Sequence, residues 1–398
     1  MRYYFLQIGT CQLKRIGVAL VLTFLFSGMP LPAWSESNLV KEKIPASMNS
    51  VFEYFQSFIR NDNAPTVEGA ALDGLLDFVM APKDSDRLYY ADGLFESTSA
   101  YYEFTIERDL SHVLKIAYNP ELPTFLTNPS SVRLSFWTEF DNGMQGLPEL
   151  WRYLEGDDKP LVFSGREIIE NTPDTNTGAY YRYGLDRTLI LMKHKGNNVL
   201  ISLSKQAGTS DVGKKGVVLG SDEDWTYLYS DKKGLNKSGL GWIRSYMYDS
   251  FSIIVYYETP GESAQVKCGA FKWLNAGWKK INMVKEYHIH EGLQRFGRAY
   301  KSIVENESLP DVATMSRSFS KISDMEMEEL QQLNLAYLKS IREQYKTDKS
   351  LSARWAADLV EDGQVEKMDA RQLKAVLMLE HIKRILGKPY HIDVVGRS

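Results

Sequence analysis

Cysteine is nearly absent. Two occur in 398 residues, Cys11 and Cys268. The first falls in a stretch read below as a leader, so a mature chain keeps one thiol and cannot close an internal disulfide. Its fold must then be held by its core. Concentrated positive charge is missing as well: no run of Lys and Arg is longer than two, which removes the basic face that phosphate backbones require. No nucleic-acid partner is expected. Also absent are the P-loop, G-x-G-x-x-G, G-x-S-x-G and His-Glu-x-x-His, so nucleotide-dependent and common hydrolytic chemistries have no sequence support. No cofactor is expected.

What is present begins with residues 1–35. Met1 to Gly17 carries Arg2, Lys14 and Arg15 with no acid, and Val18 to Phe26 is apolar apart from Thr23. This is the order of a secretory signal peptide. Pro30 and Pro32 break the segment, and Ala33 and Ser35 supply the small residues that a signal peptidase reads, so cleavage is expected between Ser35 and Glu36, giving a periplasmic or secreted chain. Cys11 precedes the apolar run instead of following it, which argues against a lipid anchor. Because Ile16 to Ser35 carries no charge over 20 residues, near the roughly 20 that span a bilayer, retention as an anchor is the alternative. Without the leader, 363 residues remain with 44 Lys and Arg (47 less three) against 51 Asp and Glu, a net charge of −7. Apolar residues at 43% and aromatics at 12% describe a folded chain, long enough for two domains or one with an appendage.

Along the mature chain, Met48, Val51, Phe52, Phe55, Phe58 and Ile59 recur at helical steps over 45–60, and a weaker helical stretch runs from Ala71 to Val79. Tyr101 to Ile106 reads as a strand and Asp109 to Tyr118 as a short helix, followed by a Pro-rich loop. From Val132 the pattern turns to strands, at 132–140 and 161–169. Thr188–His194 and Asn198–Ser204 form a hairpin, its turn assigned to Gly196-Asn197. In the second strand Val199, Ile201 and Leu203 alternate with Ser202 and Ser204, which predicts one buried and one wet face. Gly208–Gly220 reads as a loop, Trp225–Tyr229 as a strand and Trp242–Tyr257 as the richest strand region. A further hairpin pairs 265–274 with 278–284 across Asn275-Ala-Gly277. A helix over 290–305 carries Leu293, Phe296, Tyr300, Ile303 and Val304, with Gly297 on the same face for close packing. After Pro310 the pattern is helical: a capping box at Ser323/Glu326, a middle helix at 351–360, and a second capping box at Asp369/Gln372.

His288-Ile-His290 is the one candidate metal pair. Alternate residues of a strand point to one side, and Glu286 would join them, but zinc needs three or four ligands and neither His112 nor His194 can be placed beside them. Ser202-Leu-Ser-Lys205 with Lys237-Ser-Gly239 has the spacing of serine-lysine enzymes but lies in a strand pattern, where the nucleophile of those enzymes opens a helix. Asp174 to Gly178 lacks the position-12 acid of a calcium loop and reads as a turn.

The expectation is an α+β fold: an antiparallel sheet core with flanking helices over 44–306, one helix packed back on the sheet, then a helical C-terminal region at 311–387. At the level of architecture alone, this layout resembles the lipid-binding helix-grip domains. The function expected is non-catalytic binding, by an exported envelope protein, of a small apolar or amphipathic ligand in a cavity lined from Trp242 to Tyr257 and from Leu293 to Tyr300. The alternatives are a scaffold whose C-terminal helices dock on an envelope protein partner, and a metal-dependent enzyme using His288 and His290. No membrane span is expected after cleavage.

Overall fold

A computed structural model describes residues 39–396, apart from 60–66, 68, 92, 157, 158, 176, 238–240, 262, 263 and 346–363. The expected leader and the helix expected at 351–360 lie outside the described residues. The chain opens with β1 (Val40–Lys43), α1 (Met48–Ser57) and α2 (Gly69–Met80), then β2 (Arg87–Tyr90), β3 (Thr98–Ile106) and α3 (Leu110–Ala117). After a 3-10 turn at Thr124–Thr127 come β4 (Val132–Phe140), β5 (Leu161–Asn171), β6 (Ala179–Tyr180), β7 (Arg182–His194) and β8 (Asn197–Ala207). Next are β9 (Lys214–Leu219), β10 (Thr226–Lys233), the short ribbon β11 (Leu235–Lys237) and β12 (Gly241–Ile243), then β13 (Tyr246–Thr259), β14 (Gln265–Trp278) and β15 (Ile281–Asn282). Helices α4 (Glu286–Val304), α5 (Val312–Ser323), α6 (Met327–Tyr345) and α7 (Ala370–Ile385) close the described chain.

The large sheet has the order β1-β2-β3-β14-β13-β8-β7-β5-β4, with β15 added to β14. Every pairing in it is antiparallel except β1 with β2. The fold is therefore the α+β class expected, with helices flanking the sheet. Both of its faces are covered. Ile190, Val199, Ile201, Leu203, Ile253 and Val255 pack under α1 and α2 through Phe52, Phe55, Leu75 and Leu76. On the opposite face Leu189, Leu191, Leu200, Tyr256 and Cys268 share a core with Leu114 of α3, Phe296 and Tyr300 of α4, and Leu373 and Leu377 of α7. The helices after Pro310 thus contribute to the core of the sheet. Gly297 sits where expected: a Cβ there would lie 3.0 Å from both Phe104 Cδ1 and Tyr102 Cε1, so the missing side chain lets α4 lie against β3.

The double cover corrects the reading of Ser202 and Ser204 as a wet face, since both are buried. Period-two alternation marks chemistry and not solvent. Ser202 accepts a hydrogen bond from Arg187, and the Ser204 and Ser252 hydroxyls lie 2.9 Å apart. The β7–β8 turn is Lys195-Gly196, with φ of 51° and 83°, one residue earlier than Gly196-Asn197; His194 pairs with Asn197. The expected turn at Asn275-Ala-Gly277 is also displaced. Strand β14 runs straight through it and reverses at Lys279-Lys280, both with positive φ.

The segment 208–220 is not all loop. Its second half is β9, the middle strand of a second sheet ordered β10-β9-β6. Gly216 misled because glycine usually marks a turn; here a Cβ would lie 2.5 Å from Pro173 Cγ and 2.7 Å from the Leu228 carbonyl. That is a close approach inside a strand. The small sheet lies between two helices, with Tyr227 and Tyr229 facing Ala299 and Ile303 of α4 and Val217, Leu219 and Leu228 facing Tyr337 and Ile341 of α6.

Where α7 meets α5, His381 packs edge-on against Phe319 and neither ring nitrogen has a hydrogen-bond partner. Burial, followed by the Arg384 charge, lowers its pKa from the usual 6.5 to about 4. A base that is neutral when folded loses stability as pH falls through the window between its unfolded and folded pKa, because only the unfolded chain takes up the proton. Urea midpoints should therefore show a loss of about 1–2 kcal/mol between pH 7 and pH 5, and His381→Leu should flatten that part of the profile.

Candidate functional site

The covered polar face of the sheet leads to the site. Cross-strand pairing lines up Arg187, Ser204, Ser252 and Lys272 in one row. Arg187 donates from Nε to Glu167 Oε2 at 3.0 Å and from Nη1 to Ser202 Oγ at 2.9 Å. Lys272 Nζ donates to Ser250 Oγ at 2.5 Å, and burial, then the Arg187 charge, brings its pKa down to about 8. One residue row further along, the same face is apolar, with Leu189 and Ile254 leading to Leu191, Leu200 and Tyr256.

At this boundary a chamber of about 100 Å³ separates sheet from helices. Its sheet wall is Glu167, Ile169, Arg187, Ile254 and Tyr256, and its helix wall includes Tyr118, Phe296 and Tyr300. Beside it lies a larger cleft of about 450 Å³, lined by Leu122, Leu134, Phe136, Phe140 and Met378 together with Arg371 and Lys374 of α7. Thr124, Phe125, Ser135, Trp137 and Leu147 line both spaces. The Thr124 and Ser135 hydroxyls, in this shared wall, lie 2.5 Å apart.

Local sequence explains the walls. The 3-10 turn forms where Pro123 stands at its N-terminal edge, and the loop after it is pinned by Ser130 Oγ, which donates to the Arg295 carbonyl of α4 at 3.1 Å. Strand β4 carries a bulge between Trp137 and Glu139, which shifts the alternation so that Trp137 and Phe140 stack at 4.7 Å. The Trp137 ring then crosses β5 at Gly165, where a Cβ would lie 3.0 Å from Cζ3 of the indole. Only glycine leaves room for it.

Three residues that line the chamber carry a buried polar atom without a hydrogen-bond partner: Trp137 at Nε1, Asn128 at Oδ1 and Tyr300 at its hydroxyl. Burial raises the pKa of Tyr118, Tyr256 and Tyr300, so these hydroxyls stay neutral. The arrangement can hold a small, largely apolar body.

The sequence expectation for this space is met in part. Ile254 and Tyr256 from the strand region and Phe296 and Tyr300 from α4 do line the chamber, but Asn128, Trp137, Glu167 and Arg187 were not foreseen. Trp242 lies in β12, with its side chain outside the described residues. His288 and His290 are not on a strand: both belong to the first turns of α4, where residues two apart point in divergent directions. His288 Nδ1 accepts from the Lys285 backbone N–H at 3.1 Å, capping the helix, while His290 packs against Tyr102. Among the described residues no three His, Cys, Asp or Glu side chains are grouped to hold a metal, and no helix is long and apolar enough to cross a membrane.

No protein-family model matches the chain, and no curated protein matches it. Among solved structures it is similar to the human StarD13 (DLC2) lipid transfer and protein localization domain, at 12% identity and a TM-score of 0.25, over 60% of this chain and 96% of that one. A likeness of that degree decides neither fold nor function.

Proposed function

We propose that the chain is an exported envelope protein that binds a small apolar or amphipathic ligand, without catalysis, in the space between the large sheet and the helices covering it. The observation carrying this reading is an apolar cleft beside a smaller chamber between the sheet and the helices, the two sharing a wall of Thr124, Phe125, Ser135, Trp137 and Leu147. A core packed only for stability tends to fill such space. The cleft, at about 450 Å³, has the size and mixed character of small-molecule pockets.

Native mass spectrometry of residues 36–398, purified from the periplasm without a tag, should show an adduct of small-molecule mass that organic extraction removes. Gly146, which lines the cleft, has nothing within 4 Å of where its Cβ would stand. Gly146→Trp should therefore fill the cleft without disturbing the fold, and should lower binding of the apolar fluorophore phenylnaphthylamine by about tenfold or more. A fully saturable wild-type affinity in that variant would move the ligand elsewhere. Export is tested by N-terminal sequencing of the purified protein, with Glu36 expected as the first residue.

A further inference from the structure

We infer that the ligand is an anionic amphiphile, and that Arg371 and Lys374 of α7 hold its oxyanion head while its apolar body lies in the cleft. This rests on the binding reading above and gives the ligand a head-group charge and a direction.

Arg371, Lys374, Ala375 and Met378 all line the cleft, and their spacing of three and four residues places them on one face of α7. That face begins cationic and continues apolar. Contacts fix both charged ends at the cleft. The Arg371 guanidinium lies 4.1 Å from the centre of the Phe136 ring, and Lys374 Nζ donates to the Ser323 carbonyl; Phe136 and Ser323 are themselves lining residues. Among the described residues neither cation is paired with a carboxylate. A guanidinium has five donors and an ammonium three, so both keep donors for a ligand. In a chain of net charge −4, two unpaired cations in one apolar cleft do not follow from general basicity. Two acids stand near them. Asp369 is engaged by Arg182 Nη1 at 3.5 Å and by the Gln372 backbone N–H at 2.9 Å. Glu121, the one acid among the described lining residues, is exposed, and the two cations outnumber it. A carboxylate or phosphate head suits this pair, because the guanidinium fork matches the spacing of such oxygens. Arg371 is exposed, so the head keeps part of its hydration and escapes the cost of a buried charge. Leu122, Leu134, Phe140 and Leu147 cover the apolar body.

Displacement of phenylnaphthylamine from the full chain by dodecanoate, dodecyl phosphate, dodecanol and dodecyltrimethylammonium, at neutral pH and low ionic strength, tests the inference. At least one of the two anions should bind about three- to thirtyfold more tightly than dodecanol, the worth of one or two exposed charge pairs, and the cation should bind most weakly. Sodium chloride at about 0.5 M should remove most of that advantage, because exposed charges are screened. When Arg371→Gln and Lys374→Gln are combined, the ratio of anion to dodecanol affinity should fall to about one. A preference for dodecyl phosphate marks the head as a phosphate ester of the kind lipid headgroups carry, and a preference for dodecanoate marks it as a free acid; either supports the inference. Dodecanol binding as tightly as both anions, or a ratio that the double variant leaves unchanged, overturns the inference while the cleft reading stands. If the fluorophore does not bind the wild-type chain at all, the cleft reading falls and takes the inference with it. Should the double variant fail to fold, the salt dependence of the wild-type ratio decides the matter alone.

Discussion

Glu170→Gln is expected to lower the stability of the protein by about 3–5 kcal/mol, the usual cost of stripping one partner from a buried ion pair. Glu170 accepts a hydrogen bond from Arg133 at 2.5 Å, and each side chain is only 4% exposed. Among the described residues Arg133 has no second acid to turn to. Its Nε and Nη2 find no acceptor, and its guanidinium lies 3.7 Å from the centre of the Tyr229 ring. Removing the carboxylate charge therefore leaves a buried cation facing an aromatic ring and an amide. Glu170 also accepts from Gln372 Nε2 at 3.1 Å, and Gln372 is the third residue of α7 and half of that helix's capping box. One carboxylate thus ties β4 and the small sheet to the last helix. Urea midpoints should show the loss, and Arg133→Met combined with Glu170→Leu should recover most of it, because an apolar pair of similar volume leaves no charge stranded. A loss below about 1 kcal/mol for Glu170→Gln would mean that water reaches the pair.

Deleting residues 311–398 should abolish soluble expression instead of releasing an independent sheet domain. Met315, Phe319 and Ile322 of α5, Leu330 of α6, and Leu373, Leu377, Met378 and Ile382 of α7 belong to the same core as Phe104, Leu114 and Leu200. Burying such a side chain is worth roughly 1.5–3 kcal/mol each, and eight of them come to about 12–24 kcal/mol, as much as or more than the 5–15 kcal/mol that a domain has to spare. Tyr337 and Ile341 further cover one side of the small sheet. The experiment bears directly on the scaffold alternative, which needs these helices free to dock elsewhere. A soluble, cooperatively folded fragment ending at Pro310 would restore that alternative.

The helices were legible because each carries an apolar stripe that packing on the sheet uses without change: Phe52 and Phe55 in α1, Leu75 and Leu76 in α2, Phe296 and Tyr300 in α4. Their starts were less so. Helix α4 opens four residues before its expected start because Lys285, not a Ser, Thr, Asp or Asn, stands at its N-cap, and this is what turned His288-Ile-His290 into an apparent strand pair. The long strands are visible from their β-branched and aromatic content, but what covers them is not, so the alternation at Ser202 and Ser204 predicts a wet surface where the structure has a covered one. The chamber was half legible. Ile254, Tyr256, Phe296 and Tyr300 stood out as aromatic and apolar positions on neighbouring elements. Trp137 and Gly165 did not, because their contact depends on a one-residue bulge in β4 and joins positions far apart in the chain. Single-position patterns carry periodicity, while a close approach between two strands belongs to the pair.

The hydrogen bond between Thr124 and Ser135 carries a mechanical consequence. Both residues stand in the wall that the chamber and the cleft share, and the bond fastens the four-residue 3-10 turn, held between Pro123 and the anchored Ser130, to β4. A turn so short has few contacts of its own, so its local opening and the global unfolding of the chain are set by different residues. Thr124→Val would free the turn to open more often while leaving the midpoint of global unfolding nearly fixed.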